Sequence, residues 1–258
     1  MFWNKKKLQQ HAGAAKLLGI IKDEFRWHIQ KNTRMSEKDG IDFIRKAYKK
    51  HGLVNDNRKK FAIVAFGKNT KEVHYFPKGK GATLKPNTLI LLDIWARLNK
   101  KDAPYADMTW MFYYCPKVED RKLKVEKQKL QEINEKWKVL VEARSAALKK
   151  IRDFLKRGKF PRGIDVDRVA HDIIGKAGYG SAIKHTIGHS LGFKHPHGKL
   201  PGINWREYSP LLKNVGYTIE PGMYFENYGM RTEMDFYISK KNEIIVTTPI
   251  QKNITIIK

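Results

Sequence analysis

Several common features are missing or scarce in this chain, and each gap excludes something. One cysteine, Cys115, stands in 258 residues, so no internal disulfide can form and a reducing compartment suits the composition. Cys115 reads as a small hydrophobe ending an apolar stretch rather than as a nucleophile. No apolar run approaches the roughly eighteen residues a membrane helix needs. The opening Met-Phe-Trp-Asn-Lys-Lys-Lys lacks the apolar stretch that follows in a signal peptide. The expectation is therefore no membrane and a cytoplasmic location. Prolines and glycines nowhere gather into a linker, so a single domain over residues 1–258 is expected, with an apolar content of 41% to fill its core. Acids are outnumbered: 26 Asp+Glu face 52 Lys+Arg, a formal charge of +26. That charge attracts polyanions. The basic residues are spread along the chain, however, and no nucleic-acid-binding motif accompanies them. Non-specific polyanion binding is expected, and no specific nucleic-acid partner.

Chemistry is concentrated in a few places. Between Lys184 and Lys199 fall His185, His189, His195 and His197, four of the nine histidines. Imidazole is the commonest transition-metal ligand and the usual proton carrier near neutral pH. His185 and His189 have the i, i+4 spacing of a helical metal pair, but Gly188, Gly192 and Pro196 oppose a helix. The segment reads as irregular backbone crowding a site, with a surface His-rich loop as the plain alternative. Two carboxylate hairpins argue against that alternative. The first runs Thr88-Leu-Ile-Leu-Leu-Asp93-Ile-Trp-Ala, then a polar turn, then Ala106-Asp107-Met-Thr-Trp-Met-Phe-Tyr-Tyr114. The second runs Tyr217-Thr-Ile-Glu220-Pro-Gly-Met-Tyr-Phe225, turns at Asn227-Tyr-Gly229, and returns through Met230-Arg-Thr-Glu233-Met-Asp-Phe-Tyr-Ile238. Both have the apolar, aromatic and β-branched content of strands. An acid embedded in Leu-Ile-Leu-Leu-Asp93 is strongly destabilising if buried unpaired, so it needs a cation or a metal. Asp93, Asp107, His189, Glu220 and Glu233 form a candidate ligand set. It is too large for one catalytic zinc and too rich in oxygen for a structural one. It suits two divalent ions of the Mn²⁺, Co²⁺, Fe²⁺ or Zn²⁺ type.

A coarse pass along the chain finds one order of elements twice. Leu17, Ile21, Phe25 and Ile29 mark one helix face. Ser36 to Asp39 predicts a capping box whose helix runs through Ile41, Ile44 and Ala47 to a stop at Gly52. Phe61–Phe66 is a strand, and the first hairpin follows. A long charged helix is then predicted from about Asp120 to Lys156, with Trp137, Leu140, Val141, Leu148, Ile151 and Leu155 as its apolar stripe. A shorter helix begins at Asp165-Val-Asp167 and ends at Gly178. The histidine segment, the second hairpin and a strand near Ile244 complete the chain. The expected fold class is α+β, with pseudo-twofold halves of about 7–115 and 116–250 and the metals between the hairpins.

The ordered set Leu-Leu-Asp93, Asp107-Met-Thr, Gly188-His189-Ser-Leu-Gly192, Ile219-Glu220-Pro-Gly222 and Arg231-Thr-Glu233 resembles the pita-bread metallopeptidases. That family includes methionine aminopeptidases, Xaa-Pro aminopeptidases, prolidases and creatinase-like relatives. The resemblance covers roughly Lys7 to Thr248. His74-Tyr75 and Arg231-x-Glu233 are similar to the Xaa-Pro branch, and His185 matches the histidine four residues before the metal ligand. The resemblance implies a pita-bread fold, a dinuclear metal site and removal of an N-terminal residue from a peptide, one preceding proline. It also implies roles. Glu220 shuttles a proton, His185 and one of His195 or His197 steady the oxyanion, His74 serves the substrate or the leaving nitrogen, and Arg231 binds substrate. His197 is the preferred member of its pair. His11, His28, His51 and His171 are given no role.

Some positions depart from the pattern. Ser190 and Trp95 stand where the family usually has glycine, and the first hairpin turn is about three residues longer than usual. Pro196 occupies the place of the last active-site histidine. Members of the Xaa-Pro branch usually carry a separate N-terminal domain, for which this sequence shows no room. A homodimer is left open. The alternatives are a methionine-aminopeptidase-like activity, or a non-catalytic pita-bread module binding nucleic acid or ribosome, which the positive charge would favour.

Overall fold

A computed structural model describes residues 2–57, 59–116 and 123–258. Helix α1 spans Lys5–Lys31, capped by Asn4, whose side chain accepts the Lys7 N–H at 3.0 Å. Leu18, Ile21, Phe25 and Ile29 are its buried stripe. Leu17, expected in that stripe, is only half-buried, since Leu18 takes the core side of the turn. Helix α2 (Glu37–Lys50) starts with the predicted capping box. The Asp39 carboxylate accepts the Ser36 N–H at 2.8 Å, and the Asp39 N–H donates to the Ser36 hydroxyl. Beyond it Gly52 adopts φ +67°, the left-handed stop that glycine favours.

Strands β2 (Ala62–Phe66), β3 (Thr88–Leu98) and β4 (Ala106–Tyr114) form an antiparallel sheet, with the two-residue β1 (Leu53–Val54) at one edge. Alternation along these strands sorts their side chains between two cores. Ile90, Leu92, Ile94 and Phe112 pack against α1 and α2. Leu89, Leu91, Met111 and Tyr113 face the other way, into the core shared with the second half of the chain. Asp93 and Asp107 have the parity of this second set, so the pleat aims both acids at the second half. Asp93 lies opposite Thr109, and Asp107 opposite Trp95.

The second half repeats the order. Helix α3 spans Leu123–Lys156, with Trp137, Leu140, Leu148, Ile151 and Leu155 buried as expected. The predicted positions 120–122 lie outside the described residues. Helix α4 (Gly163–Lys176) begins two residues before the predicted start, where the Asp165 carboxylate accepts the Arg162 N–H.

The second hairpin departs from the expected continuous ladder. Strand β5 (Val215–Ile219) pairs with β8 (Met234–Ile238), and β6 (Gly222–Tyr224) pairs with β7 (Gly229–Arg231). The ladder breaks between them at Glu220-Pro221 and Thr232-Glu233. Pro221 has no N–H to donate there, while the N–H of Glu220, on the other edge of the strand, donates to the Ile187 carbonyl. Glu220 and Glu233 therefore both sit in the interruption. Strand β9 (Ile244–Val246) falls where expected, beside β8. An unpredicted strand, β10 (Thr255–Ile257), lies parallel to β4. Among the described residues no helix is long and apolar enough to cross a membrane.

Candidate active site

The histidine segment is placed by β5. The Leu191 N–H donates to Gly216 O, the Thr218 N–H to His189 O, and the Glu220 N–H to Ile187 O, so residues 187–191 run as an extra edge along β5. Gly188 makes this approach possible, because a Cβ there would collide with the Thr218 carbonyl. His189 is thereby set beside Glu220, and the first hairpin supplies Asp93 and Asp107 from the opposite sheet.

All ten residues singled out from the sequence open onto one cavity of about 510 Å³. The five candidate ligands line it together with His74, His185, His195, His197 and Arg231. Ligand atoms of Asp107, His189 and Glu233 lie within 4.8 Å of one another. His189 Nε2 is 3.3 Å from Glu220 Oε1 and 3.8 Å from Asp107 Oδ2. The other ring nitrogen, Nδ1, lies 3.0 Å from Ser190 O. A carbonyl can only accept, so Nδ1 carries the hydrogen and the Nε2 lone pair points at carboxylate oxygens. Acceptors facing one another across such gaps call for a cation between them. That donor set, four carboxylates and one imidazole, fits divalent transition ions.

Electrostatics argue the same way. Burial pushes the carboxyl groups of Asp107 and Glu233 well above the ordinary range, and each is raised further by neighbouring acids, Glu233 acting on Asp107 and Glu220 on Glu233. Burial and the Asp93 charge raise Glu220 to about 7, against the opposing pull of Arg231 and a hydrogen bond from Thr218. Asp93 is raised by burial although the nearby Arg231 charge opposes the shift. Burial holds His189 well below its usual value, with His197 adding to the effect. Without a cation the acids hold protons that divalent ions would displace.

Asp93 stands apart from the close group and is ion-paired with Arg231. Arg231, fully enclosed, also donates from Nε to the Thr109 hydroxyl at 3.0 Å and from Nη1 to the Tyr224 hydroxyl at 3.1 Å. Thr109 passes its own hydrogen to Glu233 Oε2 at 2.7 Å. Tyr224 lies 2.8 Å from His185 Nε2, and His185 Nδ1 lies 2.7 Å from Thr186 O. Both nitrogens of His185 are thus engaged by the protein. His197 stacks on His189 with ring centroids 3.9 Å apart, while His195 meets His197 at 5.3 Å and has no ring contact with His189. His74 is exposed at the rim, where burial of its ring and the Arg231 charge lower its pKa.

The sequence reading gave no role to Thr109, Thr218, Tyr224 and Asp235. Thr109 could have been found from strand parity, two residues beyond Asp107 on the same face. Asp235, fully buried, accepts the Asp107 N–H at 2.8 Å and lies 3.8 Å from His11 Nε2. His11 is enclosed too, bonded to Tyr105 O and the Thr247 hydroxyl, and burial lowers it to about 4.

Sheet, interrupted hairpin and acid-rich cavity together build a candidate metal centre. The model of metallopeptidase family M24 matches residues 10–240, and the chain belongs to that family and has its pita-bread fold. It is 26% identical over 220 residues to an uncharacterized peptidase of Staphylococcus epidermidis, a match covering 83% of this chain and 53% of that protein. The X-Pro aminopeptidase of Thermotoga maritima superposes with a TM-score of 0.76 at 24% identity, over 99% of this chain and 64% of that one. The X-prolyl aminopeptidase of Caenorhabditis elegans, described as a cytosolic enzyme with a di-nuclear active site, gives 0.68 at 19% identity, over 97% of this chain and 40% of that one. The chain spans about half the length of the curated relatives it matches.

Proposed function

We propose that this chain is a dinuclear-metal aminopeptidase that removes the residue preceding proline at a peptide N-terminus. The observation that carries the reading is the convergence of Asp93, Asp107, His189, Glu220 and Glu233 on one cavity. Asp107, His189, Glu220 and Glu233 would hold the ions together with Asp93, which Arg231 orients. Mn²⁺ is the first choice for so oxygen-rich a set. The di-nuclear site of the Caenorhabditis elegans neighbour supports the count, and its cytosolic description agrees with a cytoplasmic location.

When bound, the ions would supply Lewis acidity and lower the pKa of a bound water. The remaining steps belong to the chain's own residues. Glu220 takes the proton of the attacking water and delivers it to the leaving nitrogen. His197, at the cavity wall beside His189, donates to the scissile carbonyl oxygen as negative charge develops there. His74, at the rim, positions the substrate. His185, its two nitrogens already engaged, acts by holding Tyr224. Arg231, given to substrate in the sequence reading, is instead assigned to holding Asp93, Thr109 and Tyr224, since those groups and the Val73 carbonyl engage its guanidinium. A panel of Xaa-Pro and Met-Xaa peptides assayed with Mn²⁺, Co²⁺ and Zn²⁺ tests the reading. Turnover confined to Xaa-Pro peptides supports it, and turnover confined to Met-Xaa peptides moves the chain to the methionine-aminopeptidase class.

A further inference from the structure

Beside the site lies a second pocket of about 700 Å³ that shares His195 and His197 with the first cavity. One wall is the turn between β3 and β4, carrying Lys100, Lys101 and Asp102. The other is the loop after His189, carrying Lys194 and Lys199, and Leu191, Phe193 and Leu200 give it apolar surface. The two walls are tied together, since the Tyr105 N–H donates to Gly192 O at 2.9 Å. The loop itself is closed by Gly192 N–H to Pro196 O and by Gly198 N–H to Ser190 O. The pocket is therefore preformed, and its volume is that of an ordinary ligand site.

Its charge is unbalanced. Asp56 is neutralised by Arg97, which donates to both carboxylate oxygens at 2.9 and 2.7 Å, and Asp56 also accepts from the Tyr105 hydroxyl. Asp102 is then the one remaining acid among the pocket's described residues, against Lys100, Lys101, Lys194 and Lys199. None of these four lysines is in an ion pair among the described residues. A concave wall lined by one sign of charge raises the local concentration of the opposite sign.

We propose that this pocket binds a carboxylate on the part of the substrate downstream of the scissile bond, making the enzyme selective for acidic peptides. The proposal rests on the aminopeptidase reading above. Such an enzyme holds one residue on the amino side of the bond it cuts, so the rest of the peptide must leave through an open side of the cavity. The pocket shares the wall formed by His195 and His197, and its lysines meet what passes there. The carboxylate can come from a Glu or Asp side chain or from the peptide's own C-terminus.

The experiment measures kcat/KM of the Mn²⁺-loaded full chain on Ala-Pro-Ala-Xaa peptides, with Xaa Glu, Gln or Lys as C-terminal amides, and with Gln also as the free acid. The expected order is Glu amide above Gln amide by about fivefold, with Lys amide lowest. A gain for the Gln free acid over its amide shows that the C-terminus serves as well, and no gain assigns the pocket to side chains alone. Lys100→Glu/Lys101→Glu, both exposed on the turn, should invert the Glu-against-Lys preference, whereas Lys156→Glu/Lys176→Glu, at the ends of α3 and α4, should leave it unchanged. Equal rates on Glu and Gln amides in an active enzyme overturn the pocket alone, as does an equal shift from the two charge-reversed pairs. Failure to cleave any of the peptides overturns the aminopeptidase reading, and the pocket's role with it.

Discussion

His189 Nε2 and Glu220 Oε1 face each other across 3.3 Å, and with Nδ1 committed to the Ser190 carbonyl both are acceptors once Glu220 is ionised. The two are brought together by the edge that residues 187–191 form along β5, where the Thr218 N–H donates to His189 O and the Glu220 N–H to Ile187 O. A lone pair and a carboxylate so arranged are stabilised by a shared cation.

Metal-free protein should lose stability as pH rises above about 6.5. Below that point the lowered histidines, His185 at about 3 and His11 at about 4, act in the opposite direction, because the unfolded chain binds protons that the fold excludes. Above it the histidines are neutral in both states and the buried acids remain. Glu220 is raised to about 7, and Asp107 and Glu233 are also raised, so the folded state keeps protons the unfolded chain has lost. Stability then falls with pH. Thermal melts at pH 6.5 and 8.5 should show a lower Tm at the higher pH for chelated protein and no such drop after Mn²⁺ is added. An unchanged Tm in the chelated sample contradicts the crowding of acids described here.

Glu37 is fully buried and accepts from the Phe66 and Ala82 N–H groups, the Asn69 amide and the Tyr75 hydroxyl. It thereby ties α2 to the loop that carries His74. Glu37→Ala leaves those donors without a partner and should cost about 3 kcal/mol or more of stability. Urea denaturation reads this directly, and a loss under 1 kcal/mol would show that water replaces the carboxylate at little cost.

The two neighbouring histidines should separate in kinetics. His197 lies against His189 and His195 lies beyond it. His197→Ala should lower kcat by about 10²–10³, the loss typical of one oxyanion donor, with metal content unchanged. His195→Ala should do much less. The reverse ranking would move the donor role two residues upstream.

Arg231→Lys should behave almost like Arg231→Ala. A lysine can pair with Asp93, but one ammonium cannot also reach Thr109 and Tyr224 with the fixed fork that Arg231 uses. Both variants should lower kcat and weaken Mn²⁺ binding. Recovery of near-wild-type turnover by the lysine would reduce Arg231 to a simple counter-charge.

Much of this site was legible because strand alternation and acid placement reinforce each other. Asp93 within Leu-Ile-Leu-Leu-Asp cannot be buried without a cation, and the parity it shares with Leu89 and Leu91 sends it toward the second half. The break at Pro221 was less visible, because the arms on either side keep the apolar content of one continuous strand. Its cause, a missing N–H, is local, whereas Glu220 is held on the other edge by Ile187, more than thirty residues away in sequence. Strand β10 was missed for a similar reason: Thr255–Ile257 carries little pattern of its own and becomes a strand only by lying along β4. Tyr224 and Asp235 read as ordinary strand residues, and their roles appear only once His185 and Asp107 are beside them.

The most direct test of the central claim is a calorimetric titration of Mn²⁺ into chelated wild-type protein and into Glu233→Ala. The account predicts two saturable sites per chain in the wild type, with protons released on binding, and loss of tight binding together with nearly all Xaa-Pro hydrolysis in the variant. Absence of saturable binding in the wild type, or full turnover by Glu233→Ala, would contradict it.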